Sequence, residues 1–212
     1  MRLHILSSTL LKSIQTRRSV GAYTQKEVPQ AKVITVLDAA RWAPSAHNAQ
    51  PWRFVVVTDH DAKRRLAEAM ADEWAEDLAR DGVSPDVRRN LVESSVRRFT
   101  QAPVLIIASI TMEEMDKYPD EGRQEFEHLM ATQSLAAAIQ NMLLTAHSEG
   151  LGTCWFCAPL FCQNVVRKVL GIPHNVEPQA LVTLGYPSEQ PEAPPRKPLG
   201  EVVFKSRWGE NF

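Results

Sequence analysis

Residues 41–57 read RWAPSAHNAQPWRFVVV and join a helical pattern to a strand pattern through a short polar connection. Before this stretch, residues 31–42 place apolar side chains at three- and four-residue steps, which is typical of a helix. After it, residues 53–57 are rich in valine, which favours a strand. Pro44 and Pro51 restrict the backbone between them. We therefore predict a fixed loop that presents polar side chains between the two elements.

The composition indicates one soluble domain of 212 residues, 44% of them hydrophobic. Its 24 basic and 25 acidic residues leave a net charge of −1, which gives no reason to expect nucleic acid or an anionic membrane as a partner. No apolar run approaches the roughly 20 residues of a membrane span, and residues 1–11 are too polar for a signal peptide. We expect a cytoplasmic protein.

Helices and strands alternate along the chain. Apolar spacing predicts helices over residues 6–14, 31–42, 60–80, 84–101, 123–149 and 161–171. Short β-rich or continuous apolar runs predict strands over residues 53–59, 103–110, 152–156, 179–187 and 201–208. This order predicts an α+β protein in which helices cover a mixed sheet.

The C-terminal segment differs in composition from the rest of the chain. Residues 189–212 begin with a proline-rich stretch, which favours an extended surface arm, and end in the predicted strand 201–208. Because a strand needs a neighbour to pair with, we expect this arm to contact a partner subunit.

Arginines form the first candidate binding site. Arg17, Arg18 and Ser19 follow the first predicted helix, and two guanidiniums with a hydroxyl suit a phosphate. Cations are also favoured at a helix C-terminus, so a solvated helix end remains an alternative. Arg196 and Lys197 in the arm are a second candidate phosphate contact or, equally, an ordinary basic surface pair.

Cysteines and an E-x-x-H motif give weaker signals. Cys154 and Cys157 form C-x-x-C, but with Cys162 they supply too few ligands for zinc or an iron–sulfur cluster, and we expect packing roles. Glu125 to His128 is a single E-x-x-H, whereas a di-iron site needs two, so a hydrogen-bonded His128 is expected. We predict no metal centre, and the chain has no G-x-S-x-G, P-loop or G-x-G-x-x-G motif.

Five segments in order resemble the FMN-dependent nitroreductase superfamily. They are TRRSVGAY, APSAHNAQPWRFVVV, GLGTCW, LGYP and PRKPL. The middle of the chain is most similar to the FMN-binding C-terminal domain of the bifunctional ligase that makes the deazaflavin coenzyme F-420. The resemblance implies one domain over residues 1–212, with a three-layer α/β/α fold and a mixed, mostly antiparallel sheet. It also implies a homodimer that exchanges the arm, residues 189–212, between subunits.

The resemblance implies a set of FMN contacts. Arg17, Arg18 and Ser19 would hold the phosphate and ribityl chain, and Arg196 with Lys197 would close on the phosphate from the arm. Each FMN would lie at the dimer interface.

The polar loop would contribute from the other subunit. Pro44, Ser45 and Asn48 would line the isoalloxazine, while Gln50-Pro51-Trp52 anchors the loop to its strand. The backbone at Cys157 and Ala158 would face flavin N5.

Gly21 departs from the family pattern, because many relatives carry a cation near the pyrimidine end of the flavin at this position. A positive charge there stabilises the reduced ring. Gly21 therefore implies either that another residue takes this task or that the flavin is harder to reduce.

The acceptor would bind beneath a lid formed by residues 72–101. Trp74 and Phe99 are candidate stacking surfaces, and Asp77 is a candidate contact for a deazaflavin ring. Trp74 also fits a buried stripe with Leu66 and Met70, and we expect it to pack in the core. Four arginines of the lid are candidate anion contacts: Arg88, Arg89, Arg97 and Arg98.

The implied activity is hydride transfer from NAD(P)H through FMN to a nitroaromatic, quinone or similar conjugated acceptor by a ping-pong mechanism. The flavin would carry the chemistry, so no catalytic side chain is expected. A second hypothesis is reduction of a dehydro-deazaflavin precursor of coenzyme F-420, and a third is a non-catalytic flavin-binding protein.

Overall fold

The computed structural model describes the backbone of residues 2–211 and the side chains of residues 9–211. Within this range the α-helices are α1 (Arg2–Thr16), α2 (Gln30–Arg41), α3 (His60–Arg80), α4 (Pro85–Gln101), α5 (Glu121–Ser148), α6 (Gln163–Leu170) and α7 (Leu199–Val202). The strands are β1 (Trp52–Val57), β2 (Val104–Thr111), β3 (Gly152–Phe156) and β4 (Val176–Gly185). Six of the predicted helices and four of the predicted strands are confirmed.

One sheet with the order β1-β2-β4-β3 forms the centre of the molecule. All of its neighbouring strands are antiparallel, and among residues 2–211 a parallel pairing occurs only as an isolated bridge between Ser19 and Thr153. Strand β2 is buried along its whole length, as its continuous apolar sequence predicts. The mostly antiparallel sheet is therefore confirmed.

Helices cover both faces of this sheet. Because side chains alternate along a strand, Ile106 and Ile110 of β2 pack with α2 and α5, whereas Leu105 and Ile107 pack with α3, α4 and α6. The two apolar clusters lie on opposite faces of one sheet, which confirms the three-layer α+β fold. No helix in the described part of the chain is both long and apolar enough to span a membrane.

The prediction of a strand over residues 201–208 is wrong for the single chain. Residues 199–202 form α7, and only Phe204 pairs, with Asn211, in an isolated bridge. Leu199 is 76% exposed and Trp208 is 88% exposed, so the segment packs on no sheet edge of its own chain. A strand without a hydrogen-bonding neighbour is not stable, which accounts for the difference.

Candidate functional site

A cavity of about 440 Å³ lies where α1 ends, and we call it the arginine cavity. Arg17, Arg18 and Val20 line one side, and the beginning of the C-terminal arm lines another. The remaining wall comes from the end of α5 and the start of β3, namely His147, Gly150, Leu151, Gly152 and Thr153. The structure thus brings two of the predicted phosphate contacts together at one concave surface.

Backbone pairing fixes this arrangement. The N–H of Val20 donates to the carbonyl of Thr153 at 2.9 Å, directly beside the bridge between Ser19 and Thr153. Gly152 permits the close approach, because a Cβ at this position would lie 2.9 Å from the Cβ of Val20. Residues 17–20 are therefore held against the edge of the sheet.

The arginine cavity carries positive charge. The Nη1 of Arg18 donates to the carbonyls of Gln15 at 2.8 Å and Arg17 at 2.7 Å, which orients its guanidinium. Desolvation lowers the pKa of His147 from its ordinary value, and the charges of Arg17 and Arg18 lower it further. His147 is therefore neutral at pH 7, and the two arginines supply the cationic field of this wall.

Thr153 is a member of the arginine cavity that the sequence analysis did not single out. The residue is 1% exposed, and its hydroxyl has no hydrogen-bond partner among the described residues. A buried hydroxyl without a partner is costly, and Thr153 contributes to the wall of the cavity without exposing this hydroxyl to it. Only the GLGTCW segment, which contains Thr153, hinted at this position.

Arg196 and Lys197 do not line the arginine cavity. Both are exposed, and Nη1 of Arg196 donates to the neighbouring carbonyls of Pro194 and Pro195. Their predicted closure on a phosphate stays a prediction for the dimer, in which the arm would come from the other subunit.

The polar loop is unusually constrained. His47, Asn48 and Gln50 all adopt positive φ, at 55°, 53° and 48°, which few non-glycine residues do. The hydroxyl of Ser45 accepts the N–H of Gln50 at 3.1 Å, and the hydroxyl of Ser134 on α5 binds the N–H of Ala46 at 3.2 Å. The predicted fixed loop is confirmed.

The predicted loop contacts, Pro44, Ser45, Asn48 and Gln50, line neither the arginine cavity nor the pocket described next. Pro44, Asn48 and Gln50 are exposed and Ser45 is half-buried. Their contact with a flavin remains a prediction, since it would be made in the other subunit.

A second cavity, of about 410 Å³, lies between α3, α4 and the turn after β3, and we call it the acceptor pocket. Trp74, Asp77 and Phe99, the three predicted substrate residues, all line it together with Ala158. The sequence analysis missed several further members, among them Glu73, Phe156 and Phe161. Spacing alone could not reveal them, because the pocket joins segments that are far apart in the chain.

Aromatic rings form much of this pocket. The rings of Phe99 and Phe156 meet edge to face with centroids 5.2 Å apart, and Phe99 is only 3% exposed. Trp74 is 37% exposed, so the expectation that it packs in the core is wrong. An α-helix has 3.6 residues per turn, so each four-residue step turns slightly past the starting direction. From Leu66 to Trp74 the side-chain direction therefore shifts by about 80° around the helix axis, away from the buried face.

Both signs of charge reach the acceptor pocket. Arg98 lies 5.5 Å from the ring centroid of Phe156. It is the only lid arginine that lines the pocket, whereas Arg89 pairs with Asp86 on the surface. Asp77 forms an ion pair with Arg80. Burial raises the pKa of the Cys162 thiol to about 11, with Glu73 and Asp77 adding to the shift.

The three cysteines are free and differ in exposure. Cys162 is buried and packs in the core, as predicted, and Cys154 is half-buried. Cys157 is exposed at the start of the 3-10 turn Ala158–Phe161, so its predicted packing role is wrong. The turn carries Cys157 out of the sheet at the end of β3.

Gly21 and His128 complete the predicted positions. A Cβ at Gly21 would meet no atom within 4 Å, so a larger residue would fit there. His128 lies 2.8 Å from Glu177, which confirms the hydrogen-bonded histidine expected from the single E-x-x-H motif.

The three-layer α+β fold, the arginine cavity and the acceptor pocket together define an oxidoreductase of the flavin-dependent class. The chain belongs to the nitroreductase family: the family model described as "Nitroreductase family" matches residues 14–186.

Relatives of this chain are found in archaea and bacteria. A protein of Methanothermobacter thermautotrophicus, whose name proposes an NADH dehydrogenase/NAD(P)H nitroreductase, is 30% identical over 86% of this chain and 79% of its own. A BluB-like flavoprotein from Clostridium difficile is 26% identical, with a TM-score of 0.75 over 93% of this chain and 99% of its own. A nitroreductase-type protein from Desulfovibrio desulfuricans, solved in complex with FMN, is 25% identical, with a TM-score of 0.71 over 94% and 97%.

Proposed function

We propose that this chain is an FMN-dependent oxidoreductase of nitroreductase type, which passes reducing equivalents from NAD(P)H to a conjugated acceptor in alternating half-reactions. Family membership supports the reaction class. The observation that carries the proposal for this chain is the arginine cavity, in which two guanidiniums lie at one wall.

The residues of the arginine cavity suit the phosphate end of FMN. Arg17 and Arg18 offer charged donors, and a neutral His147 leaves their charge available to an anion. Ser19 is exposed and bridges to Thr153, and its hydroxyl would contact the ribityl chain. Glu189, in the arm, is the one carboxylate that lines this cavity. Displacement of Glu189 as the arm moves to the partner would favour the phosphate.

A second copy of the chain would complete the site. The polar loop and Arg196 with Lys197 lie away from the arginine cavity of their own chain, and the arm has large exposed apolar side chains. We therefore place FMN between two subunits. Pro44, Ser45, Asn48 and Gln50 of one chain would bind the ring whose phosphate is held by Arg17 and Arg18 of the other.

Bound FMN supplies two-electron chemistry that connects the hydride donor NAD(P)H to the acceptor. The protein's own residues bind, orient and exclude water. The backbone at Cys157 and Ala158 would support the reactive edge of the ring, and Phe99 with Phe156 forms a dry wall beside Ala158. No nucleophile or acid–base pair is assigned to this reaction.

The acceptor pocket favours a flat aromatic or quinonoid molecule. Trp74 offers a partly exposed indole face, and Arg98 is placed to stabilise negative charge that develops on a nitro or carbonyl oxygen. A pocket of about 410 Å³ holds a small aromatic compound.

Reduction of a dehydro-deazaflavin precursor of coenzyme F-420 is the second candidate function. Asp77, which the resemblance to the ligase domain singled out, and Trp74, a candidate stacking surface of the lid, both line this pocket. The same pocket would receive one end of a tricyclic ring against Trp74, with Asp77 near its polar edge.

Anaerobic titration tests the proposal. Purified protein reconstituted with FMN is expected to lose its 450 nm absorbance on addition of NADPH or NADH and to regain it when an acceptor is added. The acceptor that restores the colour distinguishes the two candidate functions. Menadione or a nitroaromatic compound would support the first, and a dehydro-deazaflavin would support the second. A protein that binds FMN but stays oxidised with every reductant would instead be a flavin-binding protein, and one that binds no FMN would refute the proposal.

A further inference from the structure

A buried carboxylate meets the polar loop on the α5 face of the sheet. Glu127, on α5, is 1% exposed, and its Oε1 lies 3.3 Å from Nε2 of His47. The same nitrogen lies 3.9 Å from Oδ2 of Asp116, in the connection between β2 and α5. One ligand atom from each of these three residues lies within 4.8 Å of the others. We call this group the His47 cluster.

The second oxygen of Glu127 is unexplained by the protein alone. Its Oε2 is buried and has no hydrogen-bond partner among the described residues. A carboxylate removed from water without full compensation is strongly unfavourable, and buried charges are usually paired or bound to metal. His47 satisfies only one of the two oxygens, so the site requires a further positive or hydrogen-donating partner.

The fold holds the three ligands in place. His47 has a φ of 55°, and the N–H of the preceding Ala46 binds the hydroxyl of Ser134 on α5 at 3.2 Å. Glu127 lies two turns before Ser134 on the same helix, so one rigid element supports both the buried ligand and the loop. This strained conformation directs the imidazole of His47 toward the carboxylates.

We propose that the His47 cluster binds one divalent transition-metal ion, with zinc as the representative, through His47, Asp116 and Glu127. One imidazole and two carboxylates are common zinc ligands, and water would fill the remaining position. In tetrahedral zinc sites the ligand atoms are separated by about 3.4 Å, given bond lengths near 2.1 Å. The two separations at His47, 3.3 and 3.9 Å, are close to this value, and the exposed Asp116 side chain would shift to bring all three ligand atoms, now within 4.8 Å of one another, around the ion.

Bound metal would connect three segments that are distant in sequence. It would neutralise the charge of Glu127 and fasten the polar loop to α5 and to the connection that holds Asp116. An imidazole ligand disfavours magnesium and calcium, which prefer oxygen donors throughout. This inference does not depend on the proposed function, because none of the three ligands is among the proposed FMN contacts.

Another histidine–carboxylate pair provides a matched control. His128 lies 2.8 Å from Glu177, with both side chains partly exposed. No third ligand joins this pair among residues 9–211. Its partial exposure lets water satisfy the carboxylate, so Glu177→Gln should not alter metal binding.

The test is calorimetric titration of ZnCl₂ into the full-length protein as purified, after treatment with EDTA and dialysis. We expect the unaltered protein to bind one zinc ion per chain. Glu127→Gln and Asp116→Asn should each lower the affinity for zinc by at least about tenfold, the scale on which altered metal-site residues act. Glu177→Gln is expected to bind as the unaltered protein does. Since every variant keeps Cys157, zinc bound by that thiol cancels in the comparison.

Thermal unfolding gives an independent readout. Zinc should raise the midpoint temperature of the unaltered protein and of Glu177→Gln but not that of Asp116→Asn, whose exposed side chain is not needed for folding. The ratio of 450 to 280 nm absorbance reports FMN occupancy and should be the same in all four proteins. Identical zinc titrations for the unaltered protein and both ligand variants would overturn the proposal.

Discussion

The Nε2 atom of His147 lies 2.8 Å from the hydroxyl of Thr16, where the last turn of α5 meets the end of α1. This contact fixes the start of the Arg17–Ser19 segment against the central helix. It also places the imidazole next to two guanidiniums, which together with desolvation keep its pKa below the ordinary value. This hydrogen bond thus joins the end of α1 to α5 and holds His147 beside Arg17 and Arg18, the proposed phosphate contacts.

The lowered pKa of His147 predicts a pH-dependent loss of stability. The unfolded chain, with an ordinary histidine pKa near 6.5, binds a proton that the folded chain binds less readily. The free energy of unfolding of the flavin-free protein should therefore fall as the pH drops from 7.5 to 5.5. Urea denaturation of the unaltered protein and of His147→Gln measures this, and the decrease should be smaller in the variant. An equal decrease in both proteins would assign the effect to other groups.

Arg17→Ala should weaken FMN binding by about 10- to 100-fold, because it removes a charged hydrogen bond worth about 1.5–3 kcal/mol. The free energy of unfolding of the flavin-free protein should change little, since Arg17 is not in the core. Fluorescence quenching of FMN gives the dissociation constant. Arg64→Ala, which removes an exposed guanidinium on α3, should bind FMN normally, and unchanged affinity in Arg17→Ala would contradict the assignment.

Gly21→Lys should fold normally and make the bound flavin easier to reduce. A Cβ at Gly21 meets open space, and a cation near the ring stabilises its reduced, anionic form. Anaerobic titration against a reference dye should give a more positive midpoint potential, with Gly122→Lys as a control for added charge.

In contrast, Gly152→Ala should lower the free energy of unfolding by about 1–3 kcal/mol, because its Cβ would clash with Val20.

Trp74→Ala should lower kcat/KM for an aromatic acceptor by about three- to tenfold, the value of one lost aromatic contact. Its effect on stability should be small, because the indole is partly exposed. Phe99→Ala should instead lower the free energy of unfolding by about 3–5 kcal/mol, since Phe99 is buried against Phe156. Steady-state kinetics and urea denaturation separate the two roles, and unaltered kinetics in Trp74→Ala would remove it from the acceptor site.

Deletion of residues 190–212 should yield monomers with little bound flavin, because the arm would no longer reach the partner subunit. Light scattering gives the mass, and the flavin absorbance gives the occupancy. The double variant Arg196→Ala, Lys197→Ala should keep the dimer but bind FMN more weakly, which separates the arm's structural role from its charge. A truncated dimer with full flavin content would refute the exchanged-arm proposal.

Local pattern was sufficient to predict six of the seven α-helices and the four strands that the structure describes, but it also predicted a strand over residues 201–208 that the chain does not form. The continuous apolar run of β2 indicates a buried strand, and the three- and four-residue spacing of apolar residues in α5 indicates a helix. Pro44 and Pro51 marked the constrained loop, and adjacent arginines marked the phosphate candidate. Each of these signals is contained in one continuous stretch of the sequence.

The sequence alone thus determined most of the helices and strands and the constrained loop, since backbone preference and hydrophobic period act over short distances. Tertiary structure decided which segments meet: Thr16 and His147 are 131 residues apart, and His47 and Glu127 are 80 apart. It also exposed Trp74, buried Glu127 and left residues 201–208 without a strand partner. Burial and pairing depend on what the rest of the chain places alongside, and no local pattern contains that information.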